Sequence, residues 1–198
     1  VDQILFKPEL EQAIINDLKT ETRRVIEYPL ADITRPGLPQ RWRVTLGKTD
    51  TMASYKSLGT DALVAKYARY QPGSVCWVRT TWAAPVEFDD LKPSLLPRDT
   101  PIHYGTPVAG EGWGKARPSI FMPRWASRVS IHIDSVGVEF LQTLTKAGAV
   151  AEGIAADTPD PVAAFARLWD SINAERGFAW ADNPAVFVYK FSKVEVNQ

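Results

Sequence analysis

The sequence predicts an α+β fold: a small mixed β-barrel flanked by helices and interrupted by insertions. Strand-like stretches are separated by one helical stretch near the start and by two near the end, which is the order of an α+β chain. The length of 198 residues, 45% hydrophobic and 23% charged, fits one domain over residues 1–198 with a sizeable core.

ILFK, residues 4–7, is the first strand candidate. Pro8 then opens a helix, with Pro in the first turn and Glu9 and Glu11 near the positive end of the dipole. Leu10, Ile14 and Leu18 are its expected buried stripe. TRRVIEY changes to strand period, with Thr22, Arg24 and Ile26 on one side and Arg23 and Val25 on the other. Residues 29–73 read as an insertion: prolines and glycines recur, and helical TDALVAKYARY follows. SVCWVRTTWA is a strand, and residues 84–119 form a long loop whose length suggests a lid or binding loop.

In SRVSIHIDSVGVEFL, Val129, Ile131 and Ile133 alternate with Ser130, His132 and Asp134, as in a half-buried strand. TLTKAGAVAEGI is a short helix capped by Thr143 or Thr145 and stopped at Gly153. DPVAAFARLWDSINAERG is the strongest helix, with Phe165, Leu168, Trp169 and Ile172 inward and Gly177 at its end. AVFVYKFSKVEV is the last strand.

Formal net charge is zero, which argues against a protein that coats nucleic acid by electrostatics alone. Local recognition remains open, because Lys19, Arg23, Arg24, Arg35, Arg41, Arg43 and Lys48 crowd into residues 19–48 against only Glu21, Glu27 and Asp32. The single cysteine, Cys76, excludes an intramolecular disulfide and reads as a buried, inert strand residue. With only His103 and His132 beside it, no metal site and no cofactor are expected. No run approaches the ~20 apolar residues of a membrane span, and no signal sequence is apparent, so a cytoplasmic protein is expected. AGEGWG neither follows a clear strand nor opens a clear helix, so it is no phosphate-binding fingerprint.

Two constellations carry chemistry. The first is DLKTETRRVI, with Lys19, Thr22, Arg23 and Arg24 at a helix-to-strand junction. The second is RPSIFMPRWASR, which sets Arg117, Arg124 and Arg128 around Phe121 and Trp125 without an acidic residue. Guanidinium and indole faces stack on unpaired bases, and arginine also reaches phosphate. Trp82, at a strand end, is a further candidate for stacking.

The order Asp17, Lys19, Thr20, Thr22, Arg24 resembles the motif of the ASCH domain, a branch of the PUA-like superfamily of compact β-barrels that handle RNA or modified bases. Where that motif has glycine, this chain has Asp17. A broader resemblance, through KTETRRV, CWVRTTWA, FMPRWASRV, AVAEGI and LWDSIN in that order, is to ASCH-like proteins of bacteriophages and prophages. Those usually have Glu where Thr80 stands here. The resemblance implies a PUA-like barrel, a bacterial host cytoplasm, and RNA, DNA or a nucleoside or nucleotide, modified ones included, as partner. Some ASCH proteins are amidohydrolases acting on N4-acylated cytidine and another branch resembles a ribonuclease. On the former, the resemblance assigns catalysis to Lys19, Thr22 and Glu152.

Such a set is chemically complete if the fold assembles it. Threonine attacks only when a base takes its proton, lysine serves as that base when burial or nearby cations such as Arg23 and Arg24 lower its pKa, and a glutamate can protonate the leaving amine. A purely structural reading places Lys19 and Arg23 in solvent at a helix end and Glu152 on the surface. The leading expectation is a base-binding module with Lys19, Thr22, Arg24 and Glu152 in its cleft and Arg23, Trp82, Arg117, Arg124, Trp125 and Arg128 as further contacts. A hydrolase and a phage protein-interaction module are the rivals.

Overall fold

The computed structural model describes residues 2–26 and 60–194, without the side chains of Thr60, Ala62 and Leu63. Most of the expected insertion and the end of the second expected strand therefore lie outside the described residues. The elements in order are β1 (Asp2–Leu5), α1 (Pro8–Ile15), β2 (Glu21–Val25), α2 (Thr60–Tyr67), β3 (Val75–Arg79), β4 (Trp82–Ala83), β5 (His103–Tyr104), β6 (Ser130–Phe140), α3 (Lys146–Ala151), α4 (Pro161–Asn173) and β7 (Ala185–Val194). The α+β class is as the sequence predicts.

The expected closed barrel is not present among the described residues. Five strands hydrogen-bond in the order β1-β3-β6-β7-β2, and β4 and β5 form a separate two-stranded sheet. Closure would need a partner linking β1 to β2, and no described strand supplies one. The larger sheet is mixed, with β1 parallel to β3 and the β3–β6 and β2–β7 pairs antiparallel.

The chain divides into two compact units, residues 1–19, 74–132 and 192–198 in the first and residues 20–73 and 133–191 in the second. In the first unit, Trp82, Ala84, Leu96, Met122 and Ala126 form a core against which Phe88, Ile102, Tyr104 and Trp125 pack. Helix α1 starts at Pro8 but ends at Ile15, because Asp17 turns into the left-handed region at φ 58° and Leu18 N–H reaches back to Ala13 O. That early turn carries Leu18 out to solvent, so the buried face is Glu11, Ala13 and Ile14 rather than Leu10, Ile14 and Leu18. The strand expected over residues 74–83 breaks at Thr80–Thr81 into β3 and β4.

In the second unit, Leu141, Leu144, Ala149, Phe165, Trp169, Val186 and Val188 form the core. Thr145 caps α3 by accepting from Gly148 N–H at 3.1 Å, and Gly153 at φ 99° follows its end. Asp160 caps α4 through Ala163 N–H, and Gly177 closes the 3-10 turn after it at φ 85°. The buried positions of α4 are Pro161, Phe165, Trp169 and Asn173, so Ile172 faces solvent and Asn173 takes the inner place, donating to Trp169 O. Val129, Ile131 and Ile133 are all buried, as their alternation requires. Among the described residues no helix is long and apolar enough to cross a membrane.

Candidate functional site

Strand β2 alternates its side chains as the sequence implies, and that alternation sorts the cations. Thr22 pairs with Tyr189 and Arg24 with Phe187, so Thr22 and Arg24 share the face that carries two aromatic rings. Tyr70 adds a third ring, edge-on to Tyr189 at 5.4 Å. Arg23 pairs with Val188, a residue of the helix-covered core, and therefore points the other way.

Arg23 is a hub of carboxylates. Its Nε donates to Glu139 Oε1 at 2.8 Å, and its Nη1 donates to Glu152 Oε1 at 3.2 Å and to Glu21 Oε2 at 3.3 Å. Burial works against its charge, yet the fields of Glu152 and Glu139 outweigh burial and hold its pKa above the usual value. Arg23 is therefore occupied within the protein, and a base-contacting role is not what this geometry gives it. Gly148 of α3 lies beside it, and a Cβ there would meet Arg23 Nη2 at 3.3 Å.

Glu152, the C-cap residue of α3, is 4% exposed. Helix α3 is tied to the start of β2 by Thr20 N–H donating to Ala151 O at 2.8 Å, which brings Glu152 to the arginines. Arg24 is half-buried with its Nε inside; burial lowers its pKa, and the charges of Tyr70, Glu152 and Tyr189 oppose that while Arg69 adds to it. The guanidinium stays cationic, as arginine does throughout proteins. Burial also pushes the Tyr189 hydroxyl up to about 12, against backbone hydrogen bonds from Tyr70 and Arg69.

Thr22 and Glu152 are thus buried polar groups of the unit that also holds the half-buried Arg24, with Thr22 at 4% exposure. Lys19 is 2% exposed, the last residue of the other unit, with its ammonium 5.6 Å from the Phe6 ring centroid. Solvated placement at a helix end is excluded for it. The residues that sequence reasoning did not single out are Glu21, Glu139, Tyr70 and Tyr189. Their types are ordinary in strands and helices, and only the β2–β7 register and the fold of Arg23 collect them.

The second constellation comes apart in the structure. Trp82 is 0% exposed, because β4 pairs with β5 and bridges to Arg117, so its ring offers no face to a base. Arg117 is buried over that ring, with its guanidinium donating to Phe88 O at 2.6 Å and Leu91 O at 2.9 Å. Arg128 donates to the fully buried Glu11 at 2.8 Å and lies 3.9 Å from the Tyr104 ring centroid. Trp82 and Arg117 are buried within the first unit, and the half-buried Arg128 is engaged by Glu11 and Tyr104, so the expected grouping around Phe121 and Trp125 does not form. Trp125 is half-buried against the core, and Arg124 is exposed.

Among the described residues, no group of three or more His, Cys, Asp and Glu side chains is arranged to hold a metal ion. No protein-family model and no curated protein sequence matches the chain. Among solved structures it is similar to protein EF3133 from Enterococcus faecalis V583, described by the family model DUF984. The identity is 11%, the TM-score is 0.42, and the likeness covers 93% of this chain and 66% of that one.

Proposed function

We propose that this chain binds a nucleobase, free or within a nucleotide or strand, through Thr22, Arg24 and Glu152, with the role of the motif lysine Lys19 resting on the ASCH resemblance alone. The observation that carries the reading is that one unit holds a buried hydroxyl, a buried carboxylate and a half-buried guanidinium, and that the hydroxyl and the guanidinium share a strand face with aromatic rings. Glu152 already pairs with Arg23 and acts on Arg24 through its charge, so a base reaching Thr22 and Arg24 would meet the field of that carboxylate. A guanidinium donates to ring nitrogens and carbonyls, a carboxylate accepts from an exocyclic amine, and aromatic faces stack. The motif from Asp17 to Arg24 supports the same reading through its ASCH resemblance. With it go the PUA-like kinship, the phage or prophage setting and the cytoplasm of a bacterial host.

A hydrolytic use of these groups is the second reading, favoured by the burial of Thr22 and Glu152 within the same unit. In the roles that the resemblance assigns, Thr22 would attack an N4-acyl carbonyl of cytidine with Lys19 taking its proton, Glu152 would protonate the departing cytidine amine, and water would then hydrolyse the acyl-Thr22 ester to release the carboxylic acid. Calorimetric titration with cytidine, 5-methylcytidine and N4-acetylcytidine, followed by chromatography of the products, separates the readings. Binding weakened roughly tenfold or more in Thr22→Ala and Arg24→Gln, without turnover, is the expected result. Turnover of N4-acetylcytidine lost in Lys19→Ala and Thr22→Ala would establish the hydrolase instead, and cleavage of labelled RNA would point to a ribonuclease. If no nucleoside binds at millimolar concentration, the base-binding reading falls and a protein partner takes its place.

A further inference from the structure

No acidic residue lies between Glu111 and Asp134, while Lys115, Arg117, Arg124 and Arg128 all fall in that stretch. Arg117 and Arg128 are used internally, as described above, so the stretch owes its outward character to other residues. Its 3-10 turn, Ser119–Phe121, holds Ile120 at 67% and Phe121 at 58% exposure. From β3, Arg79 reaches the base of this turn, donating from Nη1 to Ile120 O at 3.4 Å with its guanidinium 5.7 Å from the Trp77 ring centroid. Arg124 follows on the next turn and is exposed.

An exposed aromatic ring on a turn that the Arg79 guanidinium reaches through Ile120 O, with the exposed Arg124 three residues on and no acid in the segment, suits a partner that is planar, electron-rich and anionic. An unpaired nucleotide has all three properties. Its base would stack on Phe121, and its phosphates would draw on the charge of Arg79 and Arg124. We infer that the Ser119–Phe121 turn, with Arg79 and Arg124, is a stacking platform for single-stranded nucleic acid. The inference takes its ligand class from the base-binding reading but uses none of that site's residues. Two exposed apolar side chains on one turn make a small face for a lipid surface, and the charge pattern matches phosphate directly.

The test uses the full chain with fluorescein-labelled decauridylate and decathymidylate, and with cytidine as the single-base control. The decamers should bind at least tenfold tighter than cytidine. Phe121→Ala should weaken decamer binding roughly tenfold and leave cytidine affinity unchanged. Arg124→Gln should reduce the slope of log affinity against log salt by about 0.7. Both side chains are exposed, so folding is expected to survive either change.

Decamer affinity unchanged in both variants, or decamers binding no tighter than cytidine, would overturn the platform. Phe121-dependent binding to phosphatidylcholine–phosphatidylglycerol vesicles in place of decamers would overturn it in favour of a lipid surface. A chain that ignores cytidine yet binds decamers through Phe121 would remove the base site and leave the platform standing.

Discussion

The cations of β2 and those of residues 117–128 look alike in sequence and end in different circumstances. Arg23 is held by three carboxylates, and the half-buried Arg24 shares a strand face with aromatic rings and lies in the field of Glu152. Arg117 is taken up by backbone carbonyls, Arg128 by a buried carboxylate, the Gln12 side-chain oxygen and a tyrosine ring, and Arg124 is exposed. Long flexible cations find whichever acceptor the tertiary fold brings near. A run of arginines therefore announces charge but not direction, and the burial of each head group decides its use.

The widest gap between the regions should be thermodynamic. Arg23→Ala strips three carboxylates of their shared cation, one of them, Glu152, as buried as Arg23 itself, and should cost about 3–5 kcal/mol. Arg128→Ala leaves Glu11 at 0% exposure without its cation, but Arg128 is itself 25% exposed on its side chain, and about 3 kcal/mol is expected. Arg124→Ala should stay within about 0.5 kcal/mol. Urea midpoints at constant slope would rank them. Arg23→Ala no costlier than Arg124→Ala would mean that the carboxylate hub contributes nothing to folding.

A smaller effect separates the aromatic face of β2 through pH. The Tyr189 hydroxyl rises from 10.0 to about 12 on folding, chiefly by burial. Between those values the folded protein holds a proton that the unfolded chain has lost, so stability is full below pH 10 and declines as pH rises toward 12. The loss should reach about 2 kcal/mol. Tyr189→Phe should flatten that part of the stability profile measured by urea unfolding, and an unchanged slope would assign the alkaline loss to other groups.

Much of the local structure was legible because it rests on short-range chemistry. Pro8, Thr145, Gly153 and Gly177 act within a turn of where they stand, and the alternation through Val129, Ile131 and Ile133 needs only the pleat. The strand faces of Thr22, Arg23 and Arg24 followed from the same period. What failed depended on distant partners. Trp82 was expected at an open strand end, but residues 103–104 and 117 come back to cover it. Arg128 finds Glu11 across 117 positions of sequence, and Arg23 finds Glu152 across 129. Ile172 yielded its inner place to Asn173 because α4 buries positions four apart.

Asp17 joins both lessons and gives the smallest predicted effect. The resemblance puts glycine at this position, and the left-handed φ of 58° is a physical reason for it, since glycine takes that conformation without a Cβ penalty. Aspartate tolerates the region better than most residues, and here its carboxylate accepts from Lys193 Nζ at 2.7 Å while the same ammonium also donates to Ile15 O at 2.8 Å. Asp17→Gly relieves the backbone but loses an ion pair whose carboxylate side chain is 69% exposed, and it frees the unfolded chain. Those changes nearly cancel, so Asp17→Gly should stay within about 0.5 kcal/mol of the parent. Asp17→Ala loses the pair and keeps the strain, so it should cost about 1 kcal/mol more than glycine. Equal destabilisation by both would show that the pair with Lys193, rather than the turn, is what Asp17 supplies.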